Sequence, residues 1–568
     1  MNNKNKLWAL LLVMALVVAT LAGCASQPSG GSAAPQSSDN GGGTAGSGDK
    51  ILKMGLSGIE GIFNPILADT TYDAYVNSCI FEGLVTLAPN GEYVENLAAS
   101  YTLSEDHRTY TFTLKDGITF SDGTPLTTKD VEFTYKTAAC PEYTGARAYI
   151  VSGLEGYDAF HNGDTEEFPG IKVIDEKTIA FTYAQGMEAP GNIENFQYGI
   201  MSADYYAFDT WEEFTALNEK PMGTGIMTFD SWAPKQFVKL NKNANYWDSA
   251  NAAKIDGVLM SEVPDTSILQ ALQTGEIDFA MPSASADNVN ALKGMDNITF
   301  QSYLGNGYTY MCFNTTRDTL SDVRVRQALM YALNRKEFIN AEYGSEELAQ
   351  VGMAPISPVS WAYPDPASLN AYDFDLDKAA QLMDEAGWTM GDDGFRYKDG
   401  KKFSINWLVY TESTWTQTLS SMAADTWKQL GVELNIELMD FNTVASRTTD
   451  PAPADKDFDI YTMGFSLGVD PDPSGALFDA DAYVEGGFNA SGYRNDRAQE
   501  LIKQGKAEFD NEKRKPIYAE FAQLMNQEIP TIIVAYRSEI WGINNRVHGM
   551  DLQTYKDWTA CLKDITLD

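Results

Sequence analysis

The hydrophobic pattern is clearest between residues 403 and 438, where its period changes twice. Alternation typical of a strand occurs at Phe403, Ile405, Trp407 and Val409. Helical spacing follows at Trp415, Leu419, Met422, Ala423, Trp427 and Leu430, with Gly431 as a stop signal. A second alternation covers Val432, Leu434, Ile436 and Leu438. The pattern predicts a βαβ unit with a right-handed crossover, whose helix packs its Trp and Met side chains into the core.

The same two periods predict mixed α and β structure along most of the chain. A strand is expected over 110–114, and Thr127 with Asp130 resembles a capping box that opens a helix. Further helical faces include Val325, Ala328, Leu329, Ala332 and Leu333, then Ala379, Leu382, Met383 and Ala386 before Gly387. A helix near the C-terminus is expected to carry Pro516 in its first turn and to lead into a strand over 531–536.

The pattern of the first 24 residues predicts an export signal. Lys4 and Lys6 precede an apolar run over 7–22, which ends in a small-residue site before Cys24. The Leu-Ala-Gly-Cys sequence resembles the lipobox of bacterial lipoproteins, which implies a signal peptide over 1–23 and lipidation of Cys24. A membrane anchor is the alternative, but the run is short of the ~20 residues that a spanning helix needs. Residues 24–49 are small and polar, and predict a flexible linker from the lipid anchor.

Composition narrows the class of protein. The chain has 568 residues, a length that indicates more than one domain. Its net charge of −38 would repel a phosphate backbone, which disfavours nucleic acid as a partner. After Cys24 the cysteines are Cys79, Cys140, Cys312 and Cys561, without a C-x-x-C pair. Cys312 lies in an apolar run and is expected to be a buried thiol, although one or two disulfides remain open.

Recognisable reactive centres are missing from the sequence. The three histidines fit no metal-binding pattern, and neither a nucleophile elbow nor a phosphate-binding loop occurs. Gly223-Thr224-Gly225 fits a turn that enters a strand. We therefore expect a binding protein without catalytic residues, metal or cofactor, rather than an exported hydrolase.

A set of ordered motifs resembles the extracellular solute-binding proteins of the peptide/nickel class, which serve ABC importers. They are Phe81-Glu82-Gly83-Leu84, Asn90-Gly91, 97–101, 110–135, 223–225, 240–243, 245–247, Phe313-Asn314, 323–329, 332–335 and Ser491-Gly492-Tyr493. Their order along the chain is more specific than any single motif.

The resemblance implies a two-lobed α/β clamshell of the large type II periplasmic-binding-protein kind. Lobe I is expected over 50–91, 208–313 and 529–568, with an inserted subdomain over 92–207 and lobe II over 314–528. The strand at 310–314 and the segment near Ile529 would then be the crossings between lobes.

Within this class a peptide is bound as an added strand, through main-chain groups of the protein. The resemblance implies two such stretches: Asp69, Thr70 and Thr71, and the loop with Phe465, Ser466, Leu467, Gly468, Asp470 and Asp472. Tyr536 is expected to face the cleft. Asp470 and Asp472 could instead serve only the Asp-Pro-Asp-Pro turn.

One departure from the class concerns charge. Known di- and oligopeptide binders place an aspartate, which holds the ligand's α-ammonium, where this chain has Leu467 or Gly468. Neither residue offers a side-chain carboxylate. The form resembles members that take longer oligopeptides, and suggests that a free peptide N-terminus is not held in this way.

We therefore expect a monomeric, lipid-anchored receptor on the outer side of the cell membrane, which delivers oligopeptides to an ABC permease. An oligosaccharide receptor of the same class is the nearest alternative. A surface chaperone or signalling lipoprotein is another, and nickel or haem binding is disfavoured by the scarcity of histidine.

Replacing the expected lipidation site tests the anchor. In Cys24→Ala the protein should leave the membrane fraction while its ligand affinity stays unchanged, because the linker separates the anchor from the folded body. Membrane fractionation of cells checks this outcome. A variant that stays with the membrane would contradict the lipobox.

Overall fold

The computed structural model describes residues 50–568, so the signal peptide, Cys24 and the linker expected over 1–49 lie outside the described residues. The strands are β1 Ile51–Leu56, β2 Val85–Leu87, β3 Tyr93–Glu95, β4 Ala98–Leu103, β5 Thr109–Leu114, β6 Ile171–Val173, β7 Thr178–Thr182, β8 Met227–Ala233, β9 Phe237–Lys242, β10 Gly257–Glu262, β11 Phe279–Ala280, β12 Ile298–Leu304, β13 Gly307–Phe313, β14 Ala349–Val351, β15 Thr389–Met390, β16 Arg396–Lys398, β17 Lys401–Lys402, β18 Ser404–Tyr410, β19 Glu433–Met439, β20 Ile460–Ser466, β21 Thr531–Asn544, β22 Val547–His548 and β23 Thr566–Leu567.

The α-helices are α1 Thr71–Ile80, α2 Thr128–Ala139, α3 Tyr149–Ser152, α4 Tyr157–His161, α5 Trp211–Thr215, α6 Asp265–Thr274, α7 Ala286–Lys293, α8 Val323–Tyr331, α9 Arg335–Glu342, α10 Leu376–Glu385, α11 Thr414–Gln429, α12 Phe441–Thr449, α13 Asp496–Ala507 and α14 Asn511–Glu528. A 3₁₀-helix also covers Pro190–Phe196. No helix within residues 50–568 combines the length and the apolar character that crossing a bilayer requires.

The longest strand, β21, joins two sheets. Its residues 531–537 pair with β13 and β14, and its residues 538–544 pair with β12. The complete strand order is β19-β18-β20-β13-β21-β11-β1-β10-β9-β8, with β12 and β14 pairing to β21 beside this path. Two sheets are therefore linked through one continuous strand.

Each sheet has its own hydrophobic core, which defines two lobes. The first core contains Leu52 and Met54 of β1 and takes Trp541 and Ile543 from the end of β21. The second core contains side chains of the strands and helices from β13 onward and of β21 up to Ile540, and it also includes side chains of α6, α7 and β12. The expected two-lobed α/β fold is confirmed.

The crossings between the lobes lie a few residues away from their predicted places. The strand expected to cross at 310–314 lies wholly inside the second sheet as β13, where Gly307–Phe313 pairs with β20. The chain changes sheet between Leu304 and Gly307, and again between Arg537 and Ser538 rather than near Ile529. Gly305 N–H donates to Arg537 C=O at 2.9 Å and ties the two crossings together. Sequence pattern predicts a buried strand but carries no information on which sheet it joins.

A separate antiparallel sheet, β4-β5-β7-β6, forms what we call the small-sheet region, residues 98–196. The predicted strand over 110–114 is β5, and the capping box is confirmed at the start of α2. Thr127 N–H donates to the Asp130 carboxylate at 2.8 Å, and the other oxygen of Asp130 accepts from Ala203 N–H at 2.8 Å. The cap therefore also fixes the helix to a neighbouring loop.

The predicted βαβ unit is confirmed as β18, α11 and β19, whose two strands pair in parallel. Trp415 and Trp427 are buried in the second core, and Trp427 Nε1 donates to Leu329 C=O at 3.1 Å. Leu438 is 61% exposed because β19 is the edge strand of its sheet, which leaves one part of the predicted alternation without a covering layer.

The last long helix begins earlier than predicted. Asp510 caps α14 by accepting Glu512 N–H at 3.0 Å, so the helix starts at Asn511 and Pro516 is its sixth residue. Proline at this depth removes one amide donor from the helix. The expectation that Pro516 lies in the first turn is wrong, because the cap sets an earlier start than the proline suggests.

The four cysteines of the described part are free thiols. Cys312 is fully buried on β13, and burial raises the pKa of its thiol to about 11. The expectation of a buried structural thiol is confirmed, and the Cys312 thiol stays protonated at neutral pH.

The packing of α11 gives a stability prediction. Trp427→Ala should lower the free energy of unfolding by ~3–5 kcal/mol, because it leaves a cavity in the second core. Gln429→Ala, on the exposed face of the same helix, should change it by less than ~0.5 kcal/mol. Urea titration of both variants checks the pair, and equal effects would contradict the assigned burial.

Candidate ligand-binding cavity

A cavity of about 700 Å³ separates the small-sheet region from the second lobe. One wall comes from the segments 149–153 and 183–195, which include α3 and the 3₁₀-helix. The other wall is formed by residues 465–478, which are the end of β20 and the loop after it, together with Tyr308 of β13. The cavity thus has one wall from each side of the two-lobed body.

Six of the ten residues predicted to bind ligand line this cavity: Phe465, Ser466, Leu467, Gly468, Asp470 and Asp472. Asp69, Thr70 and Thr71 do not line it. They lie at the start of α1, where Thr70 caps the helix by accepting Asp73 N–H at 3.2 Å, and Asp69 and Thr71 are exposed. The structure therefore brings one of the two predicted stretches to the cavity.

Tyr536 does not face the cleft, contrary to expectation. Its side chain is buried, and its hydroxyl donates to Ala354 C=O at 2.6 Å while accepting from Ala354 N–H at 2.9 Å. Met353 N–H also donates to it, at 3.2 Å. Because the hydroxyl is satisfied inside the protein, Tyr536 stabilises the loop 353–354 and is unavailable to a ligand.

Strand β20 brings an unpaired main-chain edge to the cavity. It pairs with β13 along its whole length, from Gly307–Ser466 to Phe313–Ile460. On its other edge it pairs with β18 only at Ile460 and Tyr461. Within the described part of the chain, residues 462–466 therefore have no strand partner on that edge, and Phe465 and Ser466 at its end line the cavity.

The loop after β20 is attached to the crossing between the lobes. Leu467 N–H donates to Asn306 C=O at 2.9 Å, and Asn306 Nδ2 donates to the carbonyls of Leu467 and Gly468 at 3.1 and 2.9 Å. Asn306 lies between β12 and β13, where the chain changes sheet. The shape of this wall therefore depends on the geometry of the crossing.

Asp470 is held by a buried arginine. Arg514 of α14 donates from both terminal nitrogens to the Asp470 carboxylate, at 2.6 and 2.8 Å, and its side chain is 2% exposed. Burial lowers the pKa of Arg514, but the hydrogen bonds to Asp470 and the charge of that carboxylate outweigh burial and keep the guanidinium charged. Asp470 therefore anchors the loop to α14 in addition to lining the cavity.

Asp472 performs the local turn role that was one of its two alternatives. Its carboxylate accepts from the Ser474 N–H at 3.0 Å and the Ser474 hydroxyl at 2.7 Å. Burial raises the pKa of Asp472, and the two bonds from Ser474 oppose this shift. Asp472 also lines the cavity, so the turn role and a place in the wall coexist.

Glu194 is a cavity residue that the sequence did not single out. It lies in the 3₁₀-helix of the small-sheet wall, and its Oε2 is 3.8 Å from the point where a Cβ on Gly468 would stand. Burial raises the pKa of its carboxyl to about 7, and the charge of Asp470 adds to that shift. Only tertiary structure could find it, since nothing distinguishes Glu194 among 79 acidic residues.

Within residues 50–568, no group of three His, Cys, Asp or Glu side chains is placed to hold a metal ion. A cavity whose walls come from two lobes, beside a main-chain edge, has the form of a ligand-binding site.

The chain belongs to the bacterial extracellular solute-binding proteins, family 5, whose model matches residues 92–483. It is 25% identical to the oligopeptide-binding protein AppA of Bacillus subtilis over 560 residues, 98% of each chain. The solved structure of AppA from Bacillus subtilis, in complex with a nonapeptide, has a TM-score of 0.72 at 23% identity and covers 91% of this chain and 99% of that one. Lactococcal OppA, complexed with an endogenous peptide in the closed conformation, has a TM-score of 0.74 at 22% identity and covers 92% and 100%.

The Asp470–Arg514 pair gives a second stability prediction. Asp470→Asn should lower the free energy of unfolding by ~3 kcal/mol, because it leaves a buried guanidinium without its counter-charge. Asp481→Asn, an exposed acid in the same segment, should change it by less than ~0.5 kcal/mol.

A double-mutant cycle with Arg514→Met separates the pair from its surroundings. Denaturant titration should show that the double variant loses clearly less than the sum of the two single losses. Additive losses would mean that the contact between the two side chains contributes nothing of its own.

Proposed function

We propose that this protein is a lipid-anchored receptor that binds oligopeptides in the cavity and delivers them to an ABC importer. It acts as a monomer without enzymatic activity, tethered to the outer side of the cell membrane through Cys24. The family membership and the relatives named as oligopeptide-binding proteins support this proposal.

The observation that carries the proposal is the unpaired edge of β20 beside a cavity of about 700 Å³. An extended peptide can add to such an edge through N–H and C=O groups that every peptide possesses. The volume lies within the ~300–1,000 Å³ that is typical of small-ligand sites. The cavity is also lined by aromatic side chains, which offer apolar surface to ligand side chains: Tyr149, Tyr183, Tyr308 and Phe478.

Delivery requires that the importer distinguish loaded from empty receptor. The two walls belong to different halves of the molecule, and the wall at 467–468 is bonded to Asn306 at the crossing. A ligand that contacts both walls favours the closed arrangement by its differential affinity for that state.

Main-chain pairing predicts a specific response to N-methylation of the ligand. A series of peptides is made, each with an N-methyl group at one amide, and their affinities are measured by calorimetry. Methylation should weaken binding more than tenfold at every second position, because a strand directs alternate amides toward one neighbouring strand. Side-chain changes at the same positions should have smaller effects. Equal tolerance of N-methylation everywhere would contradict pairing with β20.

The ligand class itself is checked on protein purified from its own host. Native mass spectrometry should show bound masses that fragment as peptides of several residues. Bound oligosaccharide or nickel would overturn the proposed function.

A further inference from the structure

We infer that Glu194 binds a positively charged nitrogen of the ligand, so that the cavity selects ligands with an ammonium or guanidinium group at this place. The inference deepens the proposed function and rests on it. The charged nitrogen could belong to a lysine or arginine side chain or to a peptide N-terminus, since all offer N–H donors to a carboxylate.

Glu194 lies where the two walls of the cavity approach each other. Its Oε2 is 3.8 Å from the position of a Cβ built on Gly468, and a Cβ built on Gly191 would be 3.2 Å from the Cβ of Asp470. Two glycines thus face acidic residues across the gap. The carboxylate of Glu194 therefore stands beside Gly468, a place where the second lobe offers no carboxylate of its own.

The other two carboxylates of the cavity already have partners. Asp470 is paired with Arg514, and Asp472 accepts two hydrogen bonds from Ser474 and feels the charge of Lys506. Glu194 takes part in no ion pair within residues 50–568 and lines the cavity. Of the three carboxylates that line the cavity, Glu194 is therefore the one that neither an arginine nor Ser474 engages within residues 50–568.

Protonation of Glu194 links this site to pH. Its carboxyl has a pKa of about 7, raised first by burial and then by the charge of Asp470, while the hydroxyl of Tyr93 opposes the shift. Tyr183 and Tyr198 also lie close enough to feel its charge, and burial raises the pKa of both, so they remain neutral. Arg147 is a further cation on this wall, with its Cζ 4.6 Å from the centre of the Tyr198 ring. The other charged groups are Asp470 with its partner Arg514, Asp472 and Lys506.

A bound cation favours the ionised form of Glu194 and lowers its pKa. Binding of a cationic ligand near pH 7 should therefore release a proton, and affinity should weaken as the pH falls below 7. A neutral ligand should show neither effect.

The test compares Glu194→Gln with the wild type on defined probes. The neutral reference peptide is N-acetylated, C-amidated hexa-alanine. In one series, single alanines are replaced by lysine or by norleucine, which is the uncharged match for lysine. A further probe carries a free N-terminus. Calorimetry should show tenfold or greater preference of the wild type for one cationic probe over its neutral match, and loss of that preference in Glu194→Gln. Preference for lysine assigns a side chain, and preference for the free amine assigns the N-terminus.

Controls separate the site from the fold and from the proposed function. Glu188→Gln removes the same charge from the same loop, outside the cavity lining, and should keep the preference. Proton release, measured in two buffers of different ionisation enthalpy, should vanish only in Glu194→Gln. Neutral peptides should bind both proteins equally.

Folding of the variant has its own readout. The pKa of Glu194 is raised in the folded state, so between about pH 4.5 and 7 the folded protein binds more protons than the unfolded chain. The contribution of this residue to the free energy of unfolding therefore falls as the pH rises through that window. Glu194→Gln should therefore melt higher than the wild type at pH 8 and equally at pH 4. If folded Glu194→Gln keeps the preference for cationic probes, the inference is wrong but the proposed function stands. If no peptide binds the wild type, both the inference and the proposed function are wrong.

Discussion

The continuity of β21 is the constraint on which the rest of the structure depends. One strand of 14 residues supplies hydrogen bonds to two sheets and side chains to two cores. Each lobe can then keep its own packing while their connection stays short. The second connection, between β12 and β13, runs beside the first and is bonded to it through Gly305 and Arg537. The two crossings between the lobes therefore lie next to each other.

The cavity wall is built outward from that constraint. Asn306 at the crossing fixes the loop after β20 from one side, and Arg514 fixes it from the other through Asp470. Just before these anchors, residues 462–466 of β20 have one edge without a strand partner in the described part of the chain. A main-chain edge held rigidly next to a roomy cavity suits recognition of a backbone common to many ligands, because the affinity comes from groups that do not vary.

Fold and site were predictable from the sequence to different degrees. Local patterns predicted β5, the Thr127 cap and the βαβ unit of β18, α11 and β19, because each depends on neighbours within about 40 residues of chain. The start of α14 was predicted wrongly from Pro516, because the preference of proline for the first turn is weaker here than the Asp510 cap. The cap makes the helix begin at Asn511. Tyr536 was misplaced because alternation along a strand does not tell which face looks into a cleft.

The sequence by itself determined the family, the mixed α/β class and the loop 465–472, since ordered motifs and periodicity are local properties of the chain. Tertiary structure alone decided that Arg514 neutralises Asp470, that Asn306 holds Leu467 and Gly468, and that Glu194 faces Gly468 across the cavity. The physical reason is separation along the chain, because these contacts join residues 44 to 274 positions apart. A local pattern of polarity does not determine which distant side chains will meet in the same low-dielectric environment.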